Sequence, residues 1–167
     1  FRKWLSFLEP IVGPTDFVPG ENNRLMRLDG YGSIQMLICY EVIFAGQVIT
    51  PTNRPDVMVN ITNDAWFGTT IGPWQHLYQS QLRAVEEGIP LVRVANTGIS
   101  AAFDGFGRQL GTIPLGTRAY LDIALPSVLT APVFARFGNA GFFALCFGVF
   151  GVAWVLYRRE RQQVHTA

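Results

Sequence analysis

Charge is scarce in this sequence. Asp, Glu, Lys and Arg make up 15% of its 167 residues, against roughly a quarter in a typical soluble domain, while hydrophobic residues reach 49%. That balance excludes a disordered chain. Thirteen basic residues against twelve acidic ones leave a formal net charge of +1, so there is no broad basic face for a phosphate backbone and no nucleic-acid partner is expected. Two cysteines are too few for a disulfide framework. His76 has no second His, Cys or acid at ligand spacing, so no metal site is expected. There is no Gly-rich phosphate loop and no G-x-S-x-G element, and no cofactor is expected. Internal repeats and low-complexity segments are missing as well. The opening Phe1-Arg2-Lys3-Trp4 carries no signal-peptide pattern, and a chain of one-domain length that starts on Phe reads as a fragment of a larger protein.

One long hydrophobic run is present. Ala140 to Tyr157 holds 18 consecutive residues without a charge, Asn, Gln, Ser or Thr, and Arg158-Arg159-Glu160-Arg161 follows at once. As a helix it would span about 27 Å, close to the thickness of a hydrocarbon core. No polar face shows at any helical period, and Trp154 and Tyr157 stand at the end next to the arginines, so the run reads as a membrane span rather than a core helix. Cys146 inside it serves as a small apolar side chain. Arg158, Arg159 and Arg161 outnumber Arg136 on the other side, which places the C-terminus in the cytoplasm and residues 1–126 outside it. The expected organisation is a domain over 1–126, a linker over 127–139, a transmembrane helix over 140–158 and a cytoplasmic tail over 159–167.

The region before the span reads as α/β. Ser33–Cys39 and Val57–Thr62 are apolar runs of strand length, with one short helix expected over Glu41–Thr50 between them. After Gly72 and Pro73, the spacing of Trp74, Leu77, Tyr78, Leu82 and Val85 predicts a helix that buries that face and stops at Gly88. Leu91–Ala95 and Ile99–Phe103 are strand candidates. Asp104-Gly105-Phe106-Gly107 is a hairpin loop before a return strand near Arg108, and Ala119–Leu125 is expected as the last strand.

Cys39 is the candidate nucleophile. It ends a strand, where α/β folds place their sites, and stands before an expected helix whose positive end would favour a thiolate. A buried structural cysteine is the competing reading. Glu41 opposes a thiolate at Cys39 unless a Lys or Arg from elsewhere in the fold balances it. Asn63-Asp64-Ala65-Trp66-Phe67-Gly68 follows the second strand and sets two large rings beside a glycine, either as core anchors or as a loop that touches lipid or lines an apolar cleft.

Ile38-Cys39-Tyr40-Glu41, Asn63-Asp64-Ala65-Trp66-Phe67-Gly68, Gly72-Pro73-Trp74-Gln75-His76, Arg83-Ala84, Asn96-Thr97-Gly98-Ile99-Ser100 and Ala135-Arg136-x-Gly-Asn139 occur in that order. Together they resemble the apolipoprotein N-acyltransferase family, a bacterial inner-membrane branch of the nitrilase superfamily. The resemblance covers nearly the whole chain. It implies an α/β fold, the C-terminal part of a nitrilase-like α-β-β-α sandwich followed by one transmembrane helix. It also implies a Glu-Lys-Cys triad that takes a fatty acyl group from a phospholipid as a cysteine thioester and passes it to the N-terminal diacylglyceryl-cysteine of an apolipoprotein. The membrane, the phospholipid donor and the apolipoprotein acceptor are the implied partners. Cys39 matches the family's nucleophile, Tyr40 and Glu41 the site positions after it, and Trp66 and Phe67 the aromatic loop on the lipid side. The triad Glu and Lys lie upstream of the cysteine segment in the family. Lys3 and Glu9 sit in no matching motif and are assigned neither role, so the fragment by itself is expected to be inactive. The resemblance implies a bacterial inner membrane with the catalytic domain on the periplasmic side.

Two other readings compete. A nitrilase-type amidohydrolase shares the fold and the cysteine but releases its acyl group to water, and needs neither a span nor the Trp66-Phe67 loop. A noncatalytic membrane-anchored remnant needs no triad at all.

Overall fold

A computed structural model of the chain describes residues 25–30, 32–50 and 53–165. Lys3, Glu9, the start of the expected 1–126 domain and the last two residues of the expected tail lie outside the described residues.

Among the described residues, six strands form one mixed sheet in sequence order: β1 (Leu25–Leu28), β2 (Gly32–Ile38), β3 (Val57–Asn63), β4 (Leu91–Asn96), β5 (Ser100–Phe103) and β6 (Gln109–Ile113). β2, β3 and β4 run parallel, and the outer pairs are antiparallel. The parallel strands are the β-branched and apolar runs read from the sequence. Helix α1 (Gly72–Glu87) crosses between β3 and β4; Pro73 sits in its first turn, and Gly88 ends it in the left-handed region at φ 64°, donating its N–H to Ala84. A Cβ at Gly88 would also run into the Pro132 ring.

Strand alternation gives the sheet two unlike faces. Toward α1 it buries Leu37, Met58, Leu91 and Phe103, which join Val42, Val48, Leu77, Ala84 and Ile89 in the core. In the paired row Leu37–Asn60–Arg93, however, two of the three side chains are polar. The other face carries the paired row Ile38–Ile61–Val94, and all three of those side chains are exposed.

The structure corrects three expectations. The helix expected over Glu41–Thr50 is a five-residue 3-10 helix, Cys39–Ile43, followed by turns. The apolar stripe of α1 is inverted: Trp74, Tyr78, Leu82 and Val85 are exposed, and only Leu77 of the five is buried. The buried stripe is His76, Leu77, Ser80, Arg83, Ala84 and Glu87: Asp64 partners His76, Asn60 and Arg93 partner Ser80, the Ile43 carbonyl and Glu86 take Arg83, and Arg54 faces Glu87. Ala119–Leu125 is no strand. Leu121 and Ile123 lie over Gly111 of β6, leaving no room for a Cβ there, so the segment packs by its side chains instead of joining a ladder.

Over 127–139 the backbone is tied to the sheet domain by the Leu129 N–H to the Gly88 carbonyl, then forms a short helix, α2 (Val133–Phe137). Helix α3 runs Ala140–His165. Its segment Ala140–Arg158 has a mean hydropathy of 2.0, none of it is buried, and it is long and apolar enough to cross a membrane.

Candidate active site

Cys39 sits where β2 gives way to the 3-10 helix, with a backbone φ of 51°. A side chain rarely takes this left-handed conformation, because its Cβ crowds the following carbonyl. By alternation residue 39 would share the inward face of the fully buried Leu37. The turn breaks that alternation and leaves Cys39 half-buried. Among the interactions that hold the turn, the Glu41 carboxylate accepts the N–H of Ile38 at 2.8 Å, and Arg83 of α1 donates from Nη1 to the carbonyl of Ile43 at 2.9 Å. A five-residue 3-10 helix presents little dipole, so the helix-end argument for Cys39 loses most of its force.

Beneath this turn lies a closed polar cluster. Asn60, Asp64, His76, Ser80 and Arg93 are all buried. Arg93 donates from Nη2 to Asp64 Oδ2 at 2.5 Å, from Nη1 to Asn60 Oδ1 at 2.6 Å and to Ser80 Oγ at 3.3 Å, and from Nε to the Ile99 carbonyl at 3.3 Å. Asp64 Oδ1 accepts from Thr62 Oγ1 at 3.2 Å and lies 3.0 Å from His76 Nδ1. Gly98 closes the cluster, since a Cβ there would strike the Asp64 carboxylate. Burial pushes the Asp64 carboxyl up, but the His76 hydrogen bond and the Arg93 charge outweigh it and hold Asp64 below the usual carboxylate range. Burial lowers Arg93, and the negative charge of Asp64 opposes that fall. A thiolate at Cys39 favours the Arg93 cation too.

The aromatic residues divide. Tyr40, half-exposed, stacks on the His76 ring with centroids 5.2 Å apart, and Phe67 meets the same ring edge-on at 5.9 Å. His76 Nε2 has no hydrogen-bond partner among the described residues. Trp66 is 85% exposed. The pair read together from the sequence therefore has one ring in the wall over His76 and one in solvent. Cys146 lies in α3, away in sequence from this cluster.

The sequence reading missed Asn60, Ser80 and Arg93, and treated Asp64 and His76 as turn and helix-face residues. One signal was available: Arg93 stands inside the apolar run Leu91–Ala95, and a charge at such a position needs a buried partner. Among the described residues no group of three His, Cys, Asp or Glu side chains is placed to hold a metal ion.

A model of the carbon-nitrogen hydrolase family matches residues 8–133. The apolipoprotein N-acyltransferase of Bradyrhizobium diazoefficiens is 46% identical over 123 residues, which cover 74% of this chain and 23% of that protein. The protein of the same name from Rickettsia bellii is 43% identical over 149 residues, covering 88% of this chain and 30% of its own length. The chain thus spans about a quarter of the length of these curated relatives. Among solved structures, a carbon-nitrogen hydrolase from Helicobacter pylori G27 superposes with a TM-score of 0.52 at 12% identity, over 61% of this chain and 43% of that one. Saccharomyces cerevisiae Nit3, of branch 10 of the nitrilase superfamily, gives 0.51 at 19% identity, over 61% and 40%. At such identities the likeness is one of fold: the sheet and its helix are nitrilase-like.

Proposed function

Because the chain belongs to the carbon-nitrogen hydrolase family, we propose that Cys39 is the nucleophile of an N-acyltransferase that moves a fatty acyl chain from a phospholipid to the N-terminal diacylglyceryl-cysteine of bacterial apolipoproteins. The observation that carries this reading is the Cys39 turn itself. It leaves a half-buried thiol at a strand end, in a left-handed backbone conformation, in a chain whose relatives bear the acyltransferase name.

The chemistry follows from the thiol. The Cys39 thiolate adds to the phospholipid ester carbonyl, and the tetrahedral intermediate expels the lysophospholipid alkoxide, which takes up a proton, leaving a thioester. The acceptor's α-amine then attacks the thioester carbon. An amide forms, the thiolate leaves, and the amine gives up its proton. Tyr40 and Phe67 would wall an apolar channel for the acyl chain, and Trp66, out in solvent, would meet the lipid. Glu41 shapes the turn by accepting the Ile38 N–H. The family resemblance gives proton removal to a Glu and oxyanion stabilisation to a Lys, and neither role is assigned to a residue of this chain.

The exposed row Ile38–Ile61–Val94 supports the sandwich reading, in which a second sheet covers that face. For the setting we propose the bacterial inner membrane, crossed by Ala140–Arg158, with the sheet domain on the periplasmic side and Arg158 and Arg161 in the cytoplasm.

The family model bears the name of a hydrolase, which keeps the amidohydrolase alternative in play. The two part at the second step, where an amine or a water takes the acyl group. Full-length protein in detergent, given an acyl-labelled phospholipid and a synthetic diacylglyceryl-cysteine peptide, is expected to put the label on the peptide as an amide. Label released only as free fatty acid would favour the hydrolase.

A further inference from the structure

We propose that Asn60 is a positioning residue: clamped by Arg93, its amide holds Cys39 in the left-handed backbone conformation that aims the thiol, an inference that rests on reading Cys39 as the nucleophile. Asn60 lies in the middle of β3, fully buried, directly between Leu37 of β2 and Arg93 of β4. Its Nδ2 donates to two carbonyls on either side of Ile38, those of Leu37 at 3.1 Å and Cys39 at 3.2 Å. Its Oδ1 accepts Arg93 Nη1 at 2.6 Å and faces Ser80 Oγ at 3.4 Å.

The orientation of the amide is fixed by chemistry. Arg93 can only donate, so the atom facing it must be the oxygen, and the two carbonyls can only accept, so the atom facing them must be the nitrogen. Every polar atom of Asn60 is thereby used. Arg93 is held in turn by Asp64, and Asp64 by Thr62 and His76, so the amide stands on a closed cluster rather than on a free rotor.

At Cys39 the main chain takes a conformation that its own side chain disfavours, with φ at 51°. The Glu41 carboxylate steadies the Leu37–Ile38 peptide through the Ile38 N–H, and Asn60 holds the carbonyl of that same peptide. Asn60 also steadies the Cys39–Tyr40 peptide through the Cys39 carbonyl. Its amide thus bridges the left-handed residue. The guanidinium withdraws electrons from Oδ1 and so sharpens the Nδ2–H donors, which couples a buried cation to the nucleophile's own carbonyl without touching the sulfur.

The test uses the full-length protein in mixed micelles with a phospholipid carrying a fluorescent acyl chain, and follows the hydroxylamine-labile label on Cys39. Asn60→Asp keeps the shape and the acceptor for Arg93 but loses the donor to Cys39. Asn60→Thr suits a strand yet is too short to reach that carbonyl, and it serves if the aspartate variant fails to fold. Either change is expected to slow acylation at saturating phospholipid by about 10–100-fold, the scale of a small misplacement of a reacting atom, with KM for the phospholipid moving less than about twofold. Ser80→Ala removes a neighbour of Asn60 that makes no bond to Cys39, and sets the effect of general loosening. The proposal is overturned if a folded Asn60 variant acylates at the parent rate, or if its slowing is matched by Ser80→Ala at an equal drop in thermal midpoint. A parent protein that never labels Cys39 would overturn the nucleophile reading itself, and this inference with it.

Discussion

Arg93 and Asp64 meet Nη2 to Oδ2, and neither side chain has any exposure to solvent. A pair so enclosed is weak evidence of net stabilisation, but removing one member strands the other charge in the interior. Here the stranded charge would be a guanidinium held by three neutral acceptors, Asn60, Ser80 and the Ile99 carbonyl. Asp64→Ala is therefore expected to lower unfolding free energy by about 3–5 kcal/mol, read from the denaturant midpoint at constant slope. A loss under about 1 kcal/mol would mean that the pair is not closed off as described.

The carboxylates set opposite pH slopes. Asp64 is held below its ordinary value of 3.8, so in the window below that value the unfolded chain binds more protons, and stability drains away as pH falls through the folded-state pKa. Glu86 and Glu87 are raised above their ordinary 4.5, chiefly by burial. For them the folded chain binds more protons above 4.5, and stability is lost as pH rises through that window. Stability should thus peak on the mildly acidic side, with Asp64→Asn blunting the acid limb and Glu87→Gln the neutral one. Denaturant midpoints across pH 3 to 8 would show this, and an unchanged profile in both variants would contradict it.

Trp66 and Phe67 should separate on substitution. Trp66 is almost wholly exposed, so Trp66→Ala should change stability by no more than about 0.5 kcal/mol while slowing acyl transfer. Phe67 packs on Tyr40 and His76, and no Cβ fits at Gly72 beside its ring, so Phe67→Ala should cost on the order of 1–2 kcal/mol. Thermal melts beside transfer assays would decide. Equal losses of stability at the two positions would return Trp66 to the core.

Much of the frame was legible before the structure. β2, β3 and β4 announced themselves as β-branched or apolar runs, and Pro73 and Gly88 marked the ends of α1, because those signals act within a few residues of chain. The face of α1 was misread for the opposite reason. Periodicity counts apolar residues, yet what α1 covers includes a polar row on the sheet, so His76 and Ser80 go inward and Trp74 and Tyr78 stay out. Cys39 was singled out by its place at a strand end, and the structure puts it at the end of β2. Asn60 and Arg93 escaped because their meaning lies in cross-strand register, which joins residues 33 positions apart.

The proposed topology predicts the fate of the arginines past the span. In spheroplasts, trypsin added from outside should leave the Arg158–Arg161 region intact and reach it only after the membrane is opened. Arg118, in an exposed segment of the sheet domain, should be open to the same protease in whole spheroplasts. Cleavage at the arginine cluster in sealed spheroplasts would reverse the orientation.

The central claim is that Cys39 carries the acyl group. Full-length protein incubated with phospholipid in the absence of any amine acceptor, then digested and weighed by mass spectrometry, should show one fatty acyl mass on the peptide holding Cys39 and none on the peptide holding Cys146. Hydroxylamine should remove that mass, and Cys39→Ser should never acquire it, because an unactivated hydroxyl is a far weaker nucleophile than a thiolate. A hydroxylamine-labile acyl adduct that persists in the Cys39→Ser protein, or that sits on Cys146, would contradict the account.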